Sequence, residues 1–501
     1  MISIEELSTF CKKKGFVYQS SEIYGGISGF FDFGNLGVEL NNNIKSYWWK
    51  TFVKNRDDIF GMDGSIITNR KVWEASGHVD NFMDLIITCS KCNEKIRADH
   101  FIEDTLKIPT DGFSAEKINE LILKNNLKCF KCGGKFKQVN DFNLMFKTTI
   151  GPKNNNDNIS YLRPETAQLI FTNFKLIADN NRAKLPFGIA QIGKAFRNEI
   201  SPRDFLFRAR EFEQMEIEYF IHPNDLDNCP FIEESFNTTF NVLTAKMQSN
   251  DEHNAVKISA KDAFSKKLIT PWHIYWLHLA LSFYTNLGCN PDNFRLRQHV
   301  DKEKSHYALD TWDVEYKFPF GWKELTGAAN RTDFDLKQHI KHSKKDLSLF
   351  DENTKKKIIP YVVAEPSFGV GRCMTVLLLE AYNYDKDRGN IILKLDPLIA
   401  PIKFAVYPLV NKLNENANKL YKELKTIENC IYDKSGSIGR RYARADEIGI
   451  LYCITYDFDS INDNSVTIRY RDTGEQKRIK IKDLKENLIK LLKKEKKFDE
   501  I

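Results

Sequence analysis

The sequence predicts an α+β protein in which an antiparallel sheet is flanked by helices. Three features predict it: a hairpin-like pair of segments from 187 to 220, two cysteine pairs around a polar stretch, and a change of pattern after Pro397. The first supplies the sheet, the second an inserted subdomain, and the third a small C-terminal α/β domain. A chain of 501 residues is too long for one core, so two or three domains are expected.

The segment from 187 to 220 has the pattern of two strands joined by a loop. Side chains alternate across a strand, so one face carries a ring, an amide and a carboxylate while the other is apolar. The first face holds Phe212, Gln214 and Glu216, and the second holds Met215, Ile217 and Tyr219. The polar face suits a site that stacks a base and holds an ammonium. An amphipathic hairpin with a hydrated outer face would give the same pattern.

Helices and further strands are predicted on both sides of this hairpin from apolar spacing. The expected helices are 4–13, 38 to about 54, 272–286 and 371–382, and the expected strands are 313–320 and 358–364. A glycine-rich stretch, 24–37, precedes the second helix.

Asp396-Pro397 and Ala400-Pro401 mark a boundary, because proline and the residue before it resist helix continuation. Beyond it we expect a strand over 402–409, a helix over 411–425, a short strand and a glycine-containing loop over 435–439. A strand over 448–455, a hairpin over 466–481 and a terminal helix over 482–497 follow. Residues 401–501 hold 21 Lys plus Arg against 16 Asp plus Glu, which is most of the net charge of +6. A basic terminal module suggests a polyanion partner, although a lysine-rich hydrated helix could supply the same excess.

The composition, 42% hydrophobic and 12% aromatic, indicates ordinary globular folding. We find no apolar run near the roughly 20 residues that span a bilayer, and therefore expect no membrane association. The acidic, polar start of the chain differs from a secretory signal, so a cytoplasmic location is predicted. In that compartment the ten cysteines would remain thiols.

The stretch from Glu365 to Arg372 ends a strand, turns at glycines and opens a helix with an arginine. Helix N-termini attract anions, and an arginine adds a forked donor for phosphate. Glu324, predicted at a strand end, suits a Mg²⁺ ion that bridges phosphates. The alternative is that Ser367 only caps the helix and Arg372 is hydrated.

Two Cys-x-x-Cys pairs lie about 40 residues apart, Cys89 with Cys92 and Cys129 with Cys132. Four thiolates at this spacing can bind a structural Zn²⁺ ion tetrahedrally. The alternative is an insertion that keeps the thiols but is held by packing. Redox catalysis fits two pairs around one insertion less well.

Several stretches resemble a known family. Phe196-Arg197-Asn198-Glu199 and Gly369-Val370-Gly371-Arg372 are similar to motifs 2 and 3 of class II aminoacyl-tRNA synthetases, and Gly34–Gly37 with the following helix resembles motif 1. More narrowly, five stretches resemble the dimeric glycyl-tRNA synthetase family: 73–78, 163–168, 212–216, 318–322 and 331–336. The sequence departs from the family at Asn35 (usually proline), Leu169 (usually glycine) and Gly371 (often aspartate).

The resemblance implies ATP-dependent attachment of glycine to tRNA(Gly) through glycyl-adenylate, by a homodimer. It implies a catalytic domain over 1–398, with insertions at about 86–140 and 225–305, and an anticodon-binding domain over 399–501. The implied catalytic residues are Arg197, Arg372 and Glu324. The implied tRNA-contacting residues are Arg440, Arg441, Tyr442 and Arg444.

The resemblance also implies two ligand sites. The ATP residues are Arg197, Asn198, Glu199, Phe207, Arg208, Ala209, Arg210, Glu211, Phe212, Glu324, Leu325, Gly369, Val370, Gly371 and Arg372. The glycine residues are Arg97, Glu165, Phe212, Glu213, Gln214, Met215, Glu216, Glu365, Pro366, Ser367, Phe368 and Gly369. Two other functions stay open: a class II synthetase for proline, serine or threonine, and a synthetase-like nucleic-acid-binding subunit without catalysis.

Overall fold

The structure is a computed structural model that describes residues 2–108, 110, 113–152, 158–304 and 308–501. Its helices are α1 (Ile4–Lys14), α2 (Asn35–Trp49), α3 (Arg70–Ala75), α4 (His78–Asn81), α5 (Ala98–Leu106), α6 (Ala115–Lys124), α7 (Ala167–Asn181), α8 (Ala245–Ser249), α9 (Ala260–Ser265), α10 (Pro271–Asn286), α11 (Phe334–Ser343), α12 (Val370–Ala381), α13 (Asn414–Leu424), α14 (Ile438–Glu447), α15 (Asp459–Asp463) and α16 (Ile481–Leu492).

The strands are β1 (Val17–Gln19), β2 (Phe31–Phe33), β3 (Ile59–Met62), β4 (Ile67–Thr68), β5 (Met83–Thr88), β6 (Lys95–Arg97), β7 (Asn140–Asn143), β8 (Lys147–Thr149), β9 (Ile159–Leu162), β10 (Phe187–Phe196), β11 (Glu211–Ile221), β12 (Thr239–Leu243), β13 (Val256–Ser259), β14 (Phe294–Gln298), β15 (Asp310–Phe318), β16 (Gly321–Asn330), β17 (Leu349–Asp351), β18 (Lys356–Ile358), β19 (Tyr361–Val362), β20 (Ser367–Gly369), β21 (Tyr382–Asp385), β22 (Asn390–Leu393), β23 (Phe404–Pro408), β24 (Cys430–Tyr432), β25 (Tyr452–Tyr456), β26 (Ser465–Tyr470) and β27 (Gln476–Lys480).

The largest sheet has the strand order β13-β12-β14-β15-β16-β20-β11-β10-β3, with β19 also paired to β11. Most of its pairs are antiparallel, whereas β3–β10 and β12–β14 are parallel. The predicted hairpin is confirmed: β10 and β11 pair antiparallel from Phe187↔Phe220 to Phe196↔Glu211. The expected mainly antiparallel sheet is therefore present at the centre of the molecule.

The odd-numbered face of β11 is the predicted core face, and the structure confirms it. Met215, Ile217 and Tyr219 are fully buried in the main hydrophobic cluster. That cluster also contains Trp48 of α2 and Trp276 of α10. Burying each such side chain contributes about 1.5–3 kcal/mol, so this face fixes which way the strand faces.

The even-numbered face is covered only at one end. There Phe174 of α7 lies 5.8 Å from the ring of Phe187 and 4.5 Å from that of Phe220. At the other end of β11, a cavity lies over Phe212 and Gln214. This half-covered face positions the candidate site.

The stretch between the cysteine pairs has a hydrophobic cluster of its own, formed by Ile87, Ile96, Ile102, Ile118 and Ile122 among others. Strands β5, β6 and β7 form a three-stranded sheet beside α5 and α6. The C-terminal part forms a five-stranded sheet in the order β24-β23-β25-β26-β27. Both observations agree with the predicted layout, whose exact domain boundaries remain predictions.

Several predicted elements begin or end elsewhere. Helix α2 begins at Asn35, three residues before the predicted start, because Gly34 is extended and serves as its N-cap. A Cβ atom at Gly37 would lie 1.8 Å from the carbonyl oxygen of Phe16, so this first turn needs glycine. Asn35 occupies the first helical position, where proline is favoured but not needed.

Two further predictions are wrong in detail. The strand predicted over 358–364 shrinks to Tyr361–Val362 after Pro360. The strand predicted from Ile448 starts at Tyr452, because α14 ends at Glu447 and Gly449 turns the chain with φ of 81°.

Within the described ranges, no helix combines the length and the apolar character that crossing a membrane requires.

Candidate active site

A cavity of about 310 Å³ opens over the polar face of β11. Its walls come from the loop between β10 and β11, from β16 and β20, and from the start of α12. Phe82 and Asp84, just before the insertion, and Arg97 within it close one side. The cavity therefore joins segments that are far apart in the chain.

Four arginines line this cavity: Arg97, Arg197, Arg208 and Arg372. Burial lowers the pKa of the Arg208 guanidinium, and the nearby Arg97 and Arg372 lower it further. Arg97 is paired with Asp84 at 2.9 Å and with Asp99 at 2.8 Å. Arg197 and Arg208 have no ion pair among the described residues, so their positive charge favours a bound polyphosphate.

Arg197 is held by one hydrogen bond to the main chain and by contacts with two aromatic rings. Its Nε donates to the carbonyl oxygen of Pro164 at 3.1 Å. Its guanidinium carbon lies 5.3 Å from the ring centre of Phe212 and 5.5 Å from that of Phe82. Both Nη groups lack a hydrogen-bond acceptor among the described residues, so they are available to a ligand.

Arg372, at the start of α12, is fixed by Glu324 and Phe207. Its Nη1 lies 3.1 Å from Glu324 Oε2 and donates to the Glu324 carbonyl at 3.1 Å. Its guanidinium carbon lies 4.6 Å from the ring centre of Phe207. The charge of Arg372 lowers the pKa of Glu324. Glu324 is therefore an ionised carboxylate at the cavity edge, as expected for a Mg²⁺ ligand.

Asp313 is a second carboxylate at this edge that the sequence analysis missed. A Cβ at Gly327 would lie 3.5 Å from Glu324 Oε1 and 3.7 Å from Asp313 Oδ1, so both acids border one gap. Burial and Glu324 raise the pKa of Asp313 to about 6. Paired carboxylates beside a phosphate site fit a hard divalent cation. Asp313 could have been found from its position on β15, because that strand pairs with β16, which carries Glu324.

Glu199 has one buried oxygen, Oε2, without a hydrogen-bond partner among the described residues. It lines the cavity together with Phe207. An unpaired buried acceptor is costly, so the position favours a ligand donor such as an exocyclic amine.

Glu216 is 2% exposed and accepts four hydrogen bonds. It accepts hydrogen bonds from Gln214 Nε2 at 2.8 Å, from Ser367 Oγ at 2.6 Å and from the Thr166 amide at 3.1 Å. The Thr166 hydroxyl also donates to it. Burial and the nearby Glu165 raise its pKa, which the Ser367 and Thr166 donors oppose.

Two further acids border Glu216, and each has a histidine or an arginine as its partner. Glu165 Oε2 lies 3.3 Å from His78 Nε2, and His78 and Arg331 outweigh burial, so the pKa of Glu165 is lowered. Glu365 accepts two hydrogen bonds from Arg331 Nη1, at 3.0 and 2.8 Å. Burial raises the pKa of Glu365 to about 8, with Arg331 opposing and Glu216 adding to the rise.

The sequence analysis assigned no role to Arg331 and missed Glu218. Arg331 is 1% exposed and bridges Glu365 to Asp335, with Nε donating to Asp335 Oδ2 at 2.7 Å. Glu218 is fully buried, and both its oxygens lack a partner among the described residues. Burial and Glu365 raise its pKa well above the usual range. Glu218 could have been found from the sequence, because the two-residue alternation of β11 places it on the same face as Glu216.

Some predicted ligand contacts are corrected by the alternation of the strands. Glu213 faces α2, where it accepts from Asn41 at 2.9 Å and Lys45 at 3.0 Å. Glu211 pairs with Lys194 on the neighbouring strand. The side chains of Met215, Phe368 and Val370 are buried in the main core, also on the far side of the sheet. Only the main chain of these five residues can border a ligand.

Six other predicted residues do not line the cavity: Asn198, Arg210, Pro366, Glu165, Glu216 and Glu365. Arg210 instead donates to the carbonyl oxygens of Glu199 at 2.9 Å and Ser28 at 2.8 Å. It therefore ties the glycine-rich stretch to the loop after β10. The other predicted ATP residues, Phe207, Ala209, Leu325, Gly369 and Gly371, do line it.

The four cysteines of the insertion converge. The sulfur atoms of Cys89 and Cys132 are 3.5 Å apart and those of Cys92 and Cys129 are 3.7 Å apart. All four lie within 4.8 Å of one another. A tetrahedron with metal–sulfur bonds of about 2.3 Å has edges of about 3.8 Å, so this cluster could hold a metal ion.

The predicted tRNA-contacting residues lie on α14 and not on a loop. Arg441 is 3% exposed and donates to the Pro408 carbonyl at 2.7 Å, which corrects its predicted RNA contact. Tyr442 is half-buried against Thr455, with 2.7 Å between the hydroxyl oxygens. Arg440 and Arg444 are exposed enough to meet RNA, and Arg444 pairs with Asp433 at 2.5 Å.

Comparison with known proteins agrees with this geometry. Residues 146–382 match the family described as tRNA synthetase class II core domain (G, H, P, S and T), and residues 403–491 match the anticodon binding domain family. A crystal structure of prolyl-tRNA synthetase from Cryptosporidium parvum, complexed with halofuginone and AMPPNP, superposes with a TM-score of 0.57 at 15% identity. The alignment covers 97% of this chain and 75% of that one. The protein thus has the class II aminoacyl-tRNA synthetase fold.

Relatives of known function identify the family within this class. The glycine--tRNA ligase of Caldanaerobacter subterraneus subsp. tengcongensis is 44% identical over 500 residues, covering 98% of this chain and 99% of that one. Those of Acetivibrio thermocellus and Geobacillus thermodenitrificans are 45% and 44% identical, covering 96% and 97% of this chain and 97% of each relative. The chain belongs to the glycine--tRNA ligase family.

Proposed function

We propose that the protein attaches glycine to tRNA(Gly) at the expense of ATP, through a glycyl-adenylate intermediate. The observation that carries this proposal is the cluster of acids around Glu216, whose hydrogen-bond partners Gln214 and Ser367 line the arginine-lined cavity. Glycine's ammonium fits the acids and the phosphates of ATP fit the arginines. The glycine carboxylate then lies between them, where it can attack the α-phosphorus.

We propose that Arg197, Arg208 and Arg372 act on ATP. The phosphoryl step needs alignment and charge neutralisation more than covalent help. Arg197 holds the α-phosphate and stabilises the charge that develops there, and Arg208 reaches the outer phosphates. Phe212 and Arg372 stack on the adenine, and Glu199 with the main chain near Phe207 contacts its edge. Both Phe212 and Glu199 line the cavity, which supports this placement.

Glu324 and Asp313 would hold Mg²⁺, which neutralises phosphate charge when bound. The gap between their carboxylates above Gly327 supports this assignment. The protein itself keeps Glu324 ionised through Arg372 and orients Asp313 through His299, whose Nε2 lies 2.8 Å from Asp313 Oδ2.

Glu165, Glu216 and Glu365 hold the glycine ammonium, with Gln214 and Ser367 orienting Glu216. Glycine has no side chain to recognise, so selection must exclude larger amino acids by overlap. The four donors around Glu216 hold its carboxylate in place. Steric exclusion can discriminate more strongly than the ~1–3 kcal/mol from one missing methylene.

We propose a catalytic domain over 1–398, with the two insertions, and an anticodon-binding domain over 399–501 that contacts tRNA through Arg440 and Arg444. We also propose a homodimer, since Ile23 and Tyr24, ahead of α2, are each 87% exposed. The mass of the protein in solution tests the dimer. A cytoplasmic location stays a prediction.

Amino-acid-dependent ATP–pyrophosphate exchange tests the function. We expect exchange with glycine and at least 100-fold less, in kcat/KM, with alanine or serine, because a side chain overlaps the packed acids. Exchange driven by proline, serine or threonine would favour another class II synthetase. No exchange with any amino acid, in a protein that binds RNA, would favour a non-catalytic nucleic-acid-binding subunit.

The cysteine cluster leads to a separate prediction, that each chain binds one structural Zn²⁺ ion. The sulfur spacings near 3.8 Å support it. Elemental analysis of the purified protein should give one zinc per chain. Cys92→Ser should lose it and lower the thermal midpoint, whereas Cys229→Ala, outside the cluster, should keep it. Wild-type protein that stays metal-free after purification with added zinc would refute the site.

A further inference from the structure

The turn between α3 and α4 brings a histidine against the acid cluster. Gly77, the N-cap of α4, has φ of 83°, a left-handed conformation that favours glycine, and this turn makes His78 the first residue of α4. His78 Nε2 lies 3.3 Å from Glu165 Oε2, and both side chains are largely buried. In the described structure His78 does not line the cavity, so it acts on the site through its neighbours.

The second ring nitrogen of His78 is also held. Ser76 Oγ lies 2.8 Å from His78 Nδ1 and 3.3 Å from the carbonyl oxygen of Trp73. When the hydroxyl donates to Nδ1, the ring proton is on Nε2; when it donates to Trp73, both ring nitrogens are protonated. In both arrangements Nε2 presents a proton to Glu165, because a bare lone pair would be repelled by the carboxylate.

Glu165 is thereby held at both of its oxygens. Gln168 Nε2 donates to Oε1 at 3.1 Å, and His78 lies against Oε2. A carboxylate oxygen has two lone pairs, so each oxygen can accept one further donor. Burial would raise the pKa of Glu165, but His78 outweighs it and the pKa is lowered, which keeps the acid ionised. The result is an oriented, charged acceptor for an ammonium.

The ring of His78 has little freedom to move. Its centre lies 5.5 Å from the fully buried ring of Trp73 and 5.4 Å from that of Phe82. Asn143 Nδ2 donates to the His78 carbonyl oxygen at 3.3 Å. Phe82 in turn lies 5.5 Å from the guanidinium carbon of Arg197. One short segment therefore contacts both an acid and an arginine of the site.

We propose that His78 is a positioning residue for the amino-acid substrate: it holds Glu165 in the orientation that binds the glycine ammonium, and Ser76 fixes the ring. This inference rests on the proposed function, which assigns Glu165 to that ammonium. A histidine that only packs against Trp73 would stabilise the fold without favouring one substrate. A histidine that orients Glu165 affects glycine alone. Because the ammonium is bound equally before and during the reaction, the effect falls on KM and not on kcat.

The test measures glycine-dependent pyrophosphate exchange by the full-length protein and determines KM for glycine and for ATP separately. His78→Leu fills similar space without a donor, so KM for glycine should rise about tenfold while kcat and KM for ATP stay within about twofold. His78→Gln keeps an N–H group that can reach Glu165, and it should hold KM for glycine within about threefold of wild type. Ser76→Ala frees the ring and should raise KM for glycine severalfold.

His278→Leu is the matched control. His278 on α10 also has a hydroxyl partner, with Thr238 Oγ1 2.6 Å from its Nδ1, and it does not line the cavity of the described structure. Its loss should leave all three constants unchanged. KM does not depend on how much of a preparation is folded, so partial unfolding cannot imitate the expected result.

An unchanged KM for glycine in His78→Leu would overturn the proposal. Equal rises in His78→Leu and His78→Gln, or a parallel rise in KM for ATP, would also overturn it, because the histidine would then only pack. Should His78→Leu fail to fold, Ser76→Ala decides, and an unchanged KM for glycine there overturns the proposal. Wild-type protein without glycine-dependent exchange would refute the proposed function and this inference together, whereas normal wild-type exchange with unaffected variants refutes this inference alone.

Discussion

Replacing Arg197 with alanine is expected to lower the kcat of glycine-dependent pyrophosphate exchange by about 10²–10³-fold. The Nη groups of Arg197 lack an acceptor in the described structure and face the cavity, where negative charge grows on the α-phosphate. Removing the guanidinium removes a donor that is already oriented by Phe82, Phe212 and Pro164. The readout is the exchange rate at saturating glycine and ATP.

Two variants separate this role from a general loss of charge. Arg182→Ala, at the exposed end of α7, removes a cation outside the cavity and should leave exchange unchanged. Arg197→Lys keeps the charge but loses the planar fork, so it should recover only part of the activity. If Arg197→Ala retained wild-type exchange while folding normally, the assignment of Arg197 to the α-phosphate would be wrong.

The alternation along β11 made half of the site predictable from sequence. A strand has a period of two, so one buried apolar face at Met215, Ile217 and Tyr219 determines where Gln214 and Glu216 must point. The same rule should have excluded Glu213 from the glycine pocket. Assigning whole stretches by family resemblance hid that distinction.

What sequence could not supply was the pairing of distant charges. Arg331 and Glu365 are 34 residues apart, and Glu218 meets them only because β11 lies beside the segment after β19. The C-terminal prediction failed for a related reason. Arg441 follows a glycine-containing loop and looks hydrated in sequence, yet α14 directs it to the carbonyl groups of Pro408 and Leu409 at the end of β23.

The strongest test of the amino-acid pocket is Glu216→Gln. Glu216 holds its position through four donors, and its charge is the one best placed for an ammonium. Removing one member of a buried charge pair costs about 2–5 kcal/mol, so kcat/KM for glycine should fall by about 30-fold to several thousand-fold. The KM for ATP should change little, because the arginines that hold its phosphates are untouched.

Glu213→Gln is the matched control on the same strand. Its carboxylate faces α2 and is paired with Asn41 and Lys45, so exchange should stay within about twofold of wild type despite the identical chemical change. Thermal unfolding separates binding from folding. Glu216→Gln places an NH2 group where Glu216 accepts hydrogen bonds, so the midpoint should fall, and exchange is compared at a temperature well below both midpoints. Equal exchange in the two variants would place the glycine ammonium away from the polar face of β11 and remove the physical basis for glycine selection at this site.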